Sequence, residues 1–322
     1  MSTGRERRHA RLERALLAVA GGAVWLWLAF RWVNSWFGGV VVGPTQPLVP
    51  ESFVAAATGT GDALGTVANG VPVVAQAFDL LGWTVGMVGF ASQYGPRLAV
   101  AAWLTVVLTV VAILIGLVIA VPLAAARVYG RVSKYVALVY IELVRGTPLV
   151  AQLFLLYYGA PFLSQFIREL PGVGQGIVPG QAVWIAIIGF IINSSAYQAE
   201  YIRGSVESVD AGQLTAARAV GLGQLEGIRY VVLPQALRYA IPSWTNELVY
   251  LIKYSSLATF ITVPELFTRA DAVGSSTFAY TKAYVLAGLF YLVLVVTASY
   301  AMSRVEDAVA IPGVGNASDR RG

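Results

Sequence analysis

The chain is expected to fold as an all-α integral membrane protein, and three observations carry that expectation. It is 57% hydrophobic and 12% charged over 322 residues, with a mean hydropathy of +0.69, and a soluble domain of this size cannot hide so much apolar surface. The apolar residues gather in runs long enough to cross a bilayer, the clearest being Leu98 to Ala126, 29 residues without a charge. At about 1.5 Å per residue that run exceeds the roughly 30 Å hydrocarbon core. Finally, most Arg and Lys residues flank the runs rather than interrupt them.

Composition also excludes whole classes of chemistry. There is no Cys, hence no disulfide and no thiolate metal site, and the single His, His9, sits in a basic tail. Histidine-centred catalysis and most transition-metal sites are therefore ruled out. No catalytic or metal-ligating set is expected. The net charge of +5 comes from helix flanks, so it implies no nucleic-acid surface. A phosphate-binding loop needs Gly-Lys-Ser/Thr, but Lys134, Lys253 and Lys282 follow Ser, Ile and Thr. Any ATP and Mg belong to another polypeptide, and no cofactor is expected here.

Taken in order, residues 1–14 form a basic tail with Arg5, Arg7, Arg8, Arg11 and Arg14. The apolar run at 15–42 carries Trp25, Trp27, Trp32 and Trp36. A basic head before an apolar run is also how a signal peptide begins, but this run is long and no small-x-small cleavage site follows. A retained additional N-terminal transmembrane helix with an aromatic end is the better reading. Residues 43–97 form an extracytoplasmic or interfacial segment. Pro44, Pro47, Pro50 and Gly59 to Gly65 read as loop, and 71–92, broken by Pro72, Gln76, Asp79 and glycines, as an interfacial or re-entrant helix. Spans then follow at 98–126, about 135–162, about 181–202, 237 to about 260, and 283–302, with a polar excursion at 264–281. A polar tail closes the chain at 307–322.

Charge orients these spans. With the N-terminus inside, Arg5, Arg7, Arg8, Arg11, Arg14, Arg127, Arg131, Lys134, Arg203, Arg218, Arg229, Arg304, Arg320 and Arg321 face the cytoplasm, and only Arg97, Arg168, Arg269 and Lys282 lie outside. That asymmetry obeys the positive-inside rule provided that 71–92 does not cross. The resulting topology has six spans and both ends cytoplasmic.

One cytoplasmic loop, 204–234, stands apart as a polar, Arg-bearing island between apolar spans. Asp210 can cap a short helix, with Gln213 completing a capping-box pattern. Leu214, Ala217 and Gly221 recur at helical spacing, and Gly221 with Gly223 can end the turn where φ > 0 is cheap. A second short segment from Gln224 should stop at Leu233-Pro234. Two short helices joined at a Gly bend make a projecting knob for a soluble partner; the alternative is a loop folded back on its own protein.

The spacing of Ala216-Ala217, Gly221, Val231 and Leu233-Pro234 resembles the EAA loop of ABC-transporter permease subunits, with Thr215 where that pattern has Glu. YIELVRGTPLVAQLFLLYYGAP (140–161), SSAYQAEYIRGSVESV (194–209) and KYSSLATFITVPEL (253–266) are similar to the signatures of the polar amino-acid branch of that family, the histidine/glutamine type. The resemblance covers about 98–306. It implies a type I ABC importer transmembrane domain with a five-helix core, a location in the cell (plasma or inner) membrane, and contact with membrane lipid. It further implies two ATPase subunits docked on the knobs, an extracytoplasmic amino-acid-binding protein, and a second permease copy or paralogue. The ATPase-coupling residues would be Asp210, Gln213, Leu214, Thr215, Ala216, Ala217, Arg218, Gly221 and Leu222.

Charges inside spans are costly and mark pathways or ion pairs. Glu142 with Arg145, and Glu200 with Arg203, are spaced i,i+3 and can neutralise each other. Glu247 and Lys253 are six apart and need partners elsewhere; a zwitterionic substrate offers both signs. Asn246, Ser255 and Ser256 add hydrogen-bonding groups, so Glu142, Arg145, Asn246, Glu247, Lys253, Ser255 and Ser256 are the candidate pathway residues. An importer of polar amino acids is the function expected. The rival is an ion-gradient-driven secondary transporter of small polar solutes, which predicts an inverted repeat and broken midplane helices and leaves the knob without a role. A membrane enzyme lacks a constellation to carry its chemistry.

Overall fold

The computed structural model describes residues 4–47, 49–68, 75–175 and 178–309, with side chains from residue 19 onward except those of 67, 68 and 75. The side chains of the basic head and the tail from residue 310, including Arg320 and Arg321, lie outside the described residues. Regular structure among the described residues is entirely helical: α1 Gly4–Trp36, α2 Glu51–Ala68, α3 Ala75–Tyr129, α4 Ser133–Arg145, α5 Leu149–Phe154, α6 Pro161–Glu169, α7 Gln181–Glu207, α8 Ala211–Ala219, α9 Gln224–Gly227, α10 Leu233–Tyr254, α11 Leu266–Thr277 and α12 Tyr280–Val309. Three of them are long and apolar enough to cross a membrane, within 76–129, 181–207 and 280–309. The bent pair α4 and α5, extended to Gly159, makes a fourth if counted as one span. α10, with Arg238, Glu247 and Lys253 along it, does not reach that apolarity.

The chain divides into two compact units, residues 1–103 with 269–290 and residues 104–268 with 291–322. In the first, the segment expected as loop after Pro50 is a helix, α2. Its glycines would disfavour an isolated helix, but here they let α2 pack directly on α3. A Cβ on Gly61 would come within 2.7 Å of the Gly82 carbonyl oxygen and 2.8 Å of the Gly86 nitrogen, and one on Gly89 would meet Thr58 and Ala57. Two GxxxG stripes, Gly61/Gly65 and Gly82/Gly86, thus face each other in antiparallel sense. The stretch expected at 71–92 as an interfacial or re-entrant helix is no separate piece over its described part, which begins at residue 75. It is the start of the 55-residue α3, about 82 Å long, and no reversal intervenes before Leu98.

α1 differs from expectation in direction. Trp27 reaches Gly95, Trp32 donates its indole N–H to the Ala99 carbonyl at 2.6 Å, and Trp36 packs on Trp103 at 4.7 Å between ring centroids. α1 therefore runs parallel to α3, whereas the charge count starts the two helices on opposite sides. Two polar side chains near the end of α1 turn the chain back toward α2. Arg31, fully buried, donates to the Gln46 carbonyl at 2.7 Å, and Asn34 clasps Val41 and Val42.

In the second unit α7 is the central helix. Ile185, Phe190, Ala196, Ala199 and Ile202 are fully buried on it. Its first half packs with Leu108, Ala112, Leu153 and Leu251, its second half with Ala120, Ala124, Ile141, Ala236 and Ala240. Small residues at these contacts let helix backbones approach closely, the packing available where lipid is as apolar as leucine. Gln198, fully buried, bridges outward by donating to the Ile113 carbonyl at 3.0 Å.

The span expected at 135–162 is broken. α4 and α5 meet at 100°, because Pro148 lacks an N–H and pushes Thr147 out of the helical region. Gln152 plugs the break, donating to the carbonyls of Val144 at 2.6 Å and Thr147 at 3.1 Å. Beyond α10 a 3₁₀ segment, Ser255–Ile261, ends at Thr262 in the left-handed region, φ 65. The expected polar excursion after it holds α11, which starts on Glu265. That carboxylate is fully buried and accepts from the Phe267 and Thr268 backbone N–H groups and the Tyr291 hydroxyl at 2.8–2.9 Å. Burial pushes the Glu265 carboxyl above the usual carboxylate range, against the pull of those donors.

Candidate functional site

The loop between α7 and α10 folds as two short helices. Asp210 caps α8, its Oδ1 accepting from the Gly212 N–H at 2.6 Å. Gln213 is exposed, and its side chain makes no return bond to Asp210 among the described residues. The reciprocal bond occurs one helix later, where the Gly223 N–H donates to Glu226 at 2.8 Å. α8 ends in a Schellman turn: the Leu222 N–H donates to the Ala217 carbonyl, the Gly221 N–H to that of Arg218, and Gly221 has φ +90. Gly223 does not share this geometry; its φ is −64.

α9 then folds back on α8, with Gly227 so close that a Cβ would lie 2.8 Å from Leu214 Cδ1. Ala217 and Gly227 are buried between the helices, Leu214 is half-buried, and Thr215, Ala216, Arg218, Val220 and Leu225 are exposed. Pro234 does not stop this segment. It lies in the first turn of α10, where its missing N–H costs little, and the backbone reaches it through a π-turn, Ile228–Val232. The knob is thus continuous with α10 on one side and separated from α7 on the other only by Ser208, Val209 and Asp210.

The two helices that enter and leave the knob also enclose a cavity of about 220 Å³, lined by Asn193, Tyr197 and Tyr201 from α7 and by Glu247, Tyr250 and Tyr254 from α10. Glu247 is 4% exposed, and the Tyr201 hydroxyl donates to its Oε2 at 3.4 Å. Among the described residues no ion pair reaches it. A buried carboxylate without a basic partner is costly, and four phenol rings beside it offer faces to a cation. This arrangement can hold a small, positively charged or zwitterionic group.

The other expected pathway residues divide. Lys253 and Asn246 are exposed, and Lys253 lies 6.0 Å from the Tyr250 ring rather than at Glu247. Ser255 and Ser256 spend their hydroxyls on the carbonyls of Ile252 and Lys253. Glu142 is exposed and does not pair with Arg145. Arg145, at the end of α4, turns instead to Glu200 of α7 at 4.0 Å. Glu200 and Arg203 do pair, at 2.7 Å, and Arg203 also holds Glu207 at 2.5 Å. The reason is geometric: α4 packs along α7, so the acid across the interface is nearer than the one on its own exposed face. The tyrosines and Asn193 escaped the sequence reading. Their signal was spacing: 193, 197 and 201 on one helix, 247, 250 and 254 on the other, each a single-sided stripe.

Comparison with known proteins agrees with this architecture. Residues 112–309 match the family described as binding-protein-dependent transport system inner membrane component. The nopaline transport system permease protein of Agrobacterium fabrum is 37% identical over 198 residues, 61% of this chain and 81% of the relative. The glutamine transport system permease protein of Escherichia coli is 35% identical over 217 residues, 67% of this chain and 94% of the relative. Among solved structures, an amino acid ABC transporter crystallised with histidines superimposes with a TM-score of 0.57 at 33% identity, covering 67% of this chain and 95% of that one.

Proposed function

Because the chain belongs to the family of binding-protein-dependent transport system inner membrane components, we propose that it is the permease subunit of an ATP-driven importer of polar amino acids. In that role α8 and α9 sit in a cleft of a separate ATPase subunit, which carries the ATP and Mg. An extracytoplasmic binding protein delivers substrate, and a second copy or a paralogue completes the pathway. The single observation that carries this reading is the continuity of knob and cavity. The cavity walls are α7 and α10, and the knob is the stretch of chain that joins them. A push on the knob is transmitted through rigid helices to both walls at once, which is what alternating access requires.

The substrate reading follows from Glu247. The acid stands in a small cavity with phenol and amide neighbours, so it selects for a cationic group. An amino acid's ammonium or a basic side chain satisfies it, and the nearby relatives, named for nopaline, glutamine and arginine transport, carry such groups. The test is ATP-dependent uptake in vesicles containing the permease, its ATPase and its binding protein. Glu247→Gln should abolish most uptake while the ATPase still co-purifies. Full uptake of every amino acid tested in that variant would remove the cavity from the mechanism.

A further inference from the structure

Arg145 is a cation short of an acid. Its neighbour Glu200 is held by Arg203 through two bonds, Arg203 Nη2 to Oε1 at 2.7 Å and Arg203 Nε to Oε2 at 3.0 Å. What remains for Arg145 is the outer limit of an ion pair, 4.0 Å to the same Oε1. Its Nε is buried and has no hydrogen-bond partner among the described residues. Two guanidinium groups thus share that carboxylate, and of the two Arg203 alone reaches a second acid among the described residues, Glu207. The guanidinium of Arg145 meanwhile lies 5.4 Å from the ring centroid of Tyr197, and Tyr197 lines the Glu247 cavity. Tyr201, one turn further along the same helix, donates its hydroxyl to Glu247 at 3.4 Å.

Among the described residues the cavity therefore has an anion without a base at one edge and, past one tyrosine ring, a cation without an acid of its own. A substrate bearing both charges completes both. We propose that Arg145 is the residue that binds the substrate's carboxylate, taking it in exchange for its weak contact with Glu200. Arg is suited to this role because its planar donors match a carboxylate in two bonds, where Lys offers a point charge. The exchange also frees α4 from α7 at the one ion pair that joins them among the described residues, so occupancy loosens the contact between these helices. This inference rests on the reading of the Glu247 cavity given above.

The test uses the purified permease–ATPase complex without its binding protein, so that only the membrane site discriminates. Binding of L-arginine is compared with that of agmatine, which lacks the carboxylate, and L-histidine with histamine. Wild type should prefer the amino acid at least tenfold in each pair. Arg145→Gln should bring the amino acid down to the level of its decarboxylated partner while moving the partner less than twofold, and Arg145→Lys should keep part of the preference. Monodispersity in detergent, checked for each variant, separates misfolding from lost recognition. Glu247→Gln should weaken all four ligands. If Arg145→Gln weakens both members of a pair equally, or wild type shows no preference, Arg145 is a structural brace and the inference falls while the cavity stands. If Glu247→Gln changes nothing, or no ligand binds wild type, the cavity reading falls first and takes this inference with it.

Discussion

The Tyr201 hydroxyl and the Glu247 carboxylate face each other across 3.4 Å from opposite helices, α7 and α10. The distance is long for a hydrogen bond to a carboxylate, and Ser194 is a second hydrogen-bond partner of the acid, so Tyr201 orients the carboxylate without carrying it alone. Tyr201→Phe should therefore lower uptake only about two- to fivefold, the yield of a bond worth about 0.5–1 kcal/mol. Glu247→Gln should cost far more. Equal losses in vesicle uptake would mean that Tyr201 does more than orient the acid.

At the knob, Gly221 has φ +90 with open space around it, so a substitution there meets backbone strain and no clash. Gly221→Val should cost about 1–3 kcal/mol of local strain and misaim α8, leaving membrane level near normal but ATP hydrolysis uncoupled from uptake. Thr215, exposed on the same helix, stands where the family pattern has Glu. Thr215→Glu should raise co-purification with the ATPase. Tight coupling in Gly221→Val, measured as transported substrate per ATP, would return the loop to a fold-back with no partner.

The break between α4 and α5 depends on one amide. Gln152→Ala leaves the Val144 and Thr147 carbonyls without their donor, at about 0.5–1.5 kcal/mol for bonds that are part-buried and exposed. Thermal unfolding in detergent should shift down by about 1–4 °C. An unchanged midpoint would show that water replaces the side chain there.

The absence of Cys gives a clean background for testing the glycine seam. A Cβ on Gly89 would lie 3.3 Å from that of Ala57, near disulfide range. The double variant Ala57→Cys with Gly89→Cys should cross-link under mild oxidation, detected by peptide mass spectrometry. Adding Gly61→Leu, which drives a side chain into the Gly82 and Gly86 backbone, should prevent it. Cross-linking that survives the leucine would show that the Gly61 contact is not what holds α2 on α3.

Orientation is checked with reporters. Fusions at Gly174, before α7, should report outside, and fusions at Gly212, in α8, inside. The reverse pattern would invert the whole core and place the knob where no ATPase can reach it.

Local chemistry was legible in the sequence, and pairing at a distance was not. Asp210 and Gly221 could be read because a cap and a left-handed turn are decided within a few residues. The Thr147-Pro148 break was also written locally, but the apolar run around it read as one span. α2 could not be read because its glycines oppose helix formation until α3 supplies the opposite face. Arg145 found Glu200 rather than Glu142, a choice made by how α4 lies along α7 and by nothing in its own turn. The tyrosine stripes on α7 and α10 were each visible alone; that they face each other is a tertiary fact.

The π-turn at Ile228–Val232 puts one residue more into its turn than an α-helix holds. One extra residue advances everything after it by about 100° around the axis. Glu247 lies about four turns downstream, so its compass bearing is set in the knob's own last turn. Removing one residue between 228 and 232 would leave α10 helical as before, yet swing the acid by more than a quarter-circle from Tyr201. The aim of the cavity's one carboxylate is thus a matter of phase, dialled at the end of the helix where the ATPase is expected to push.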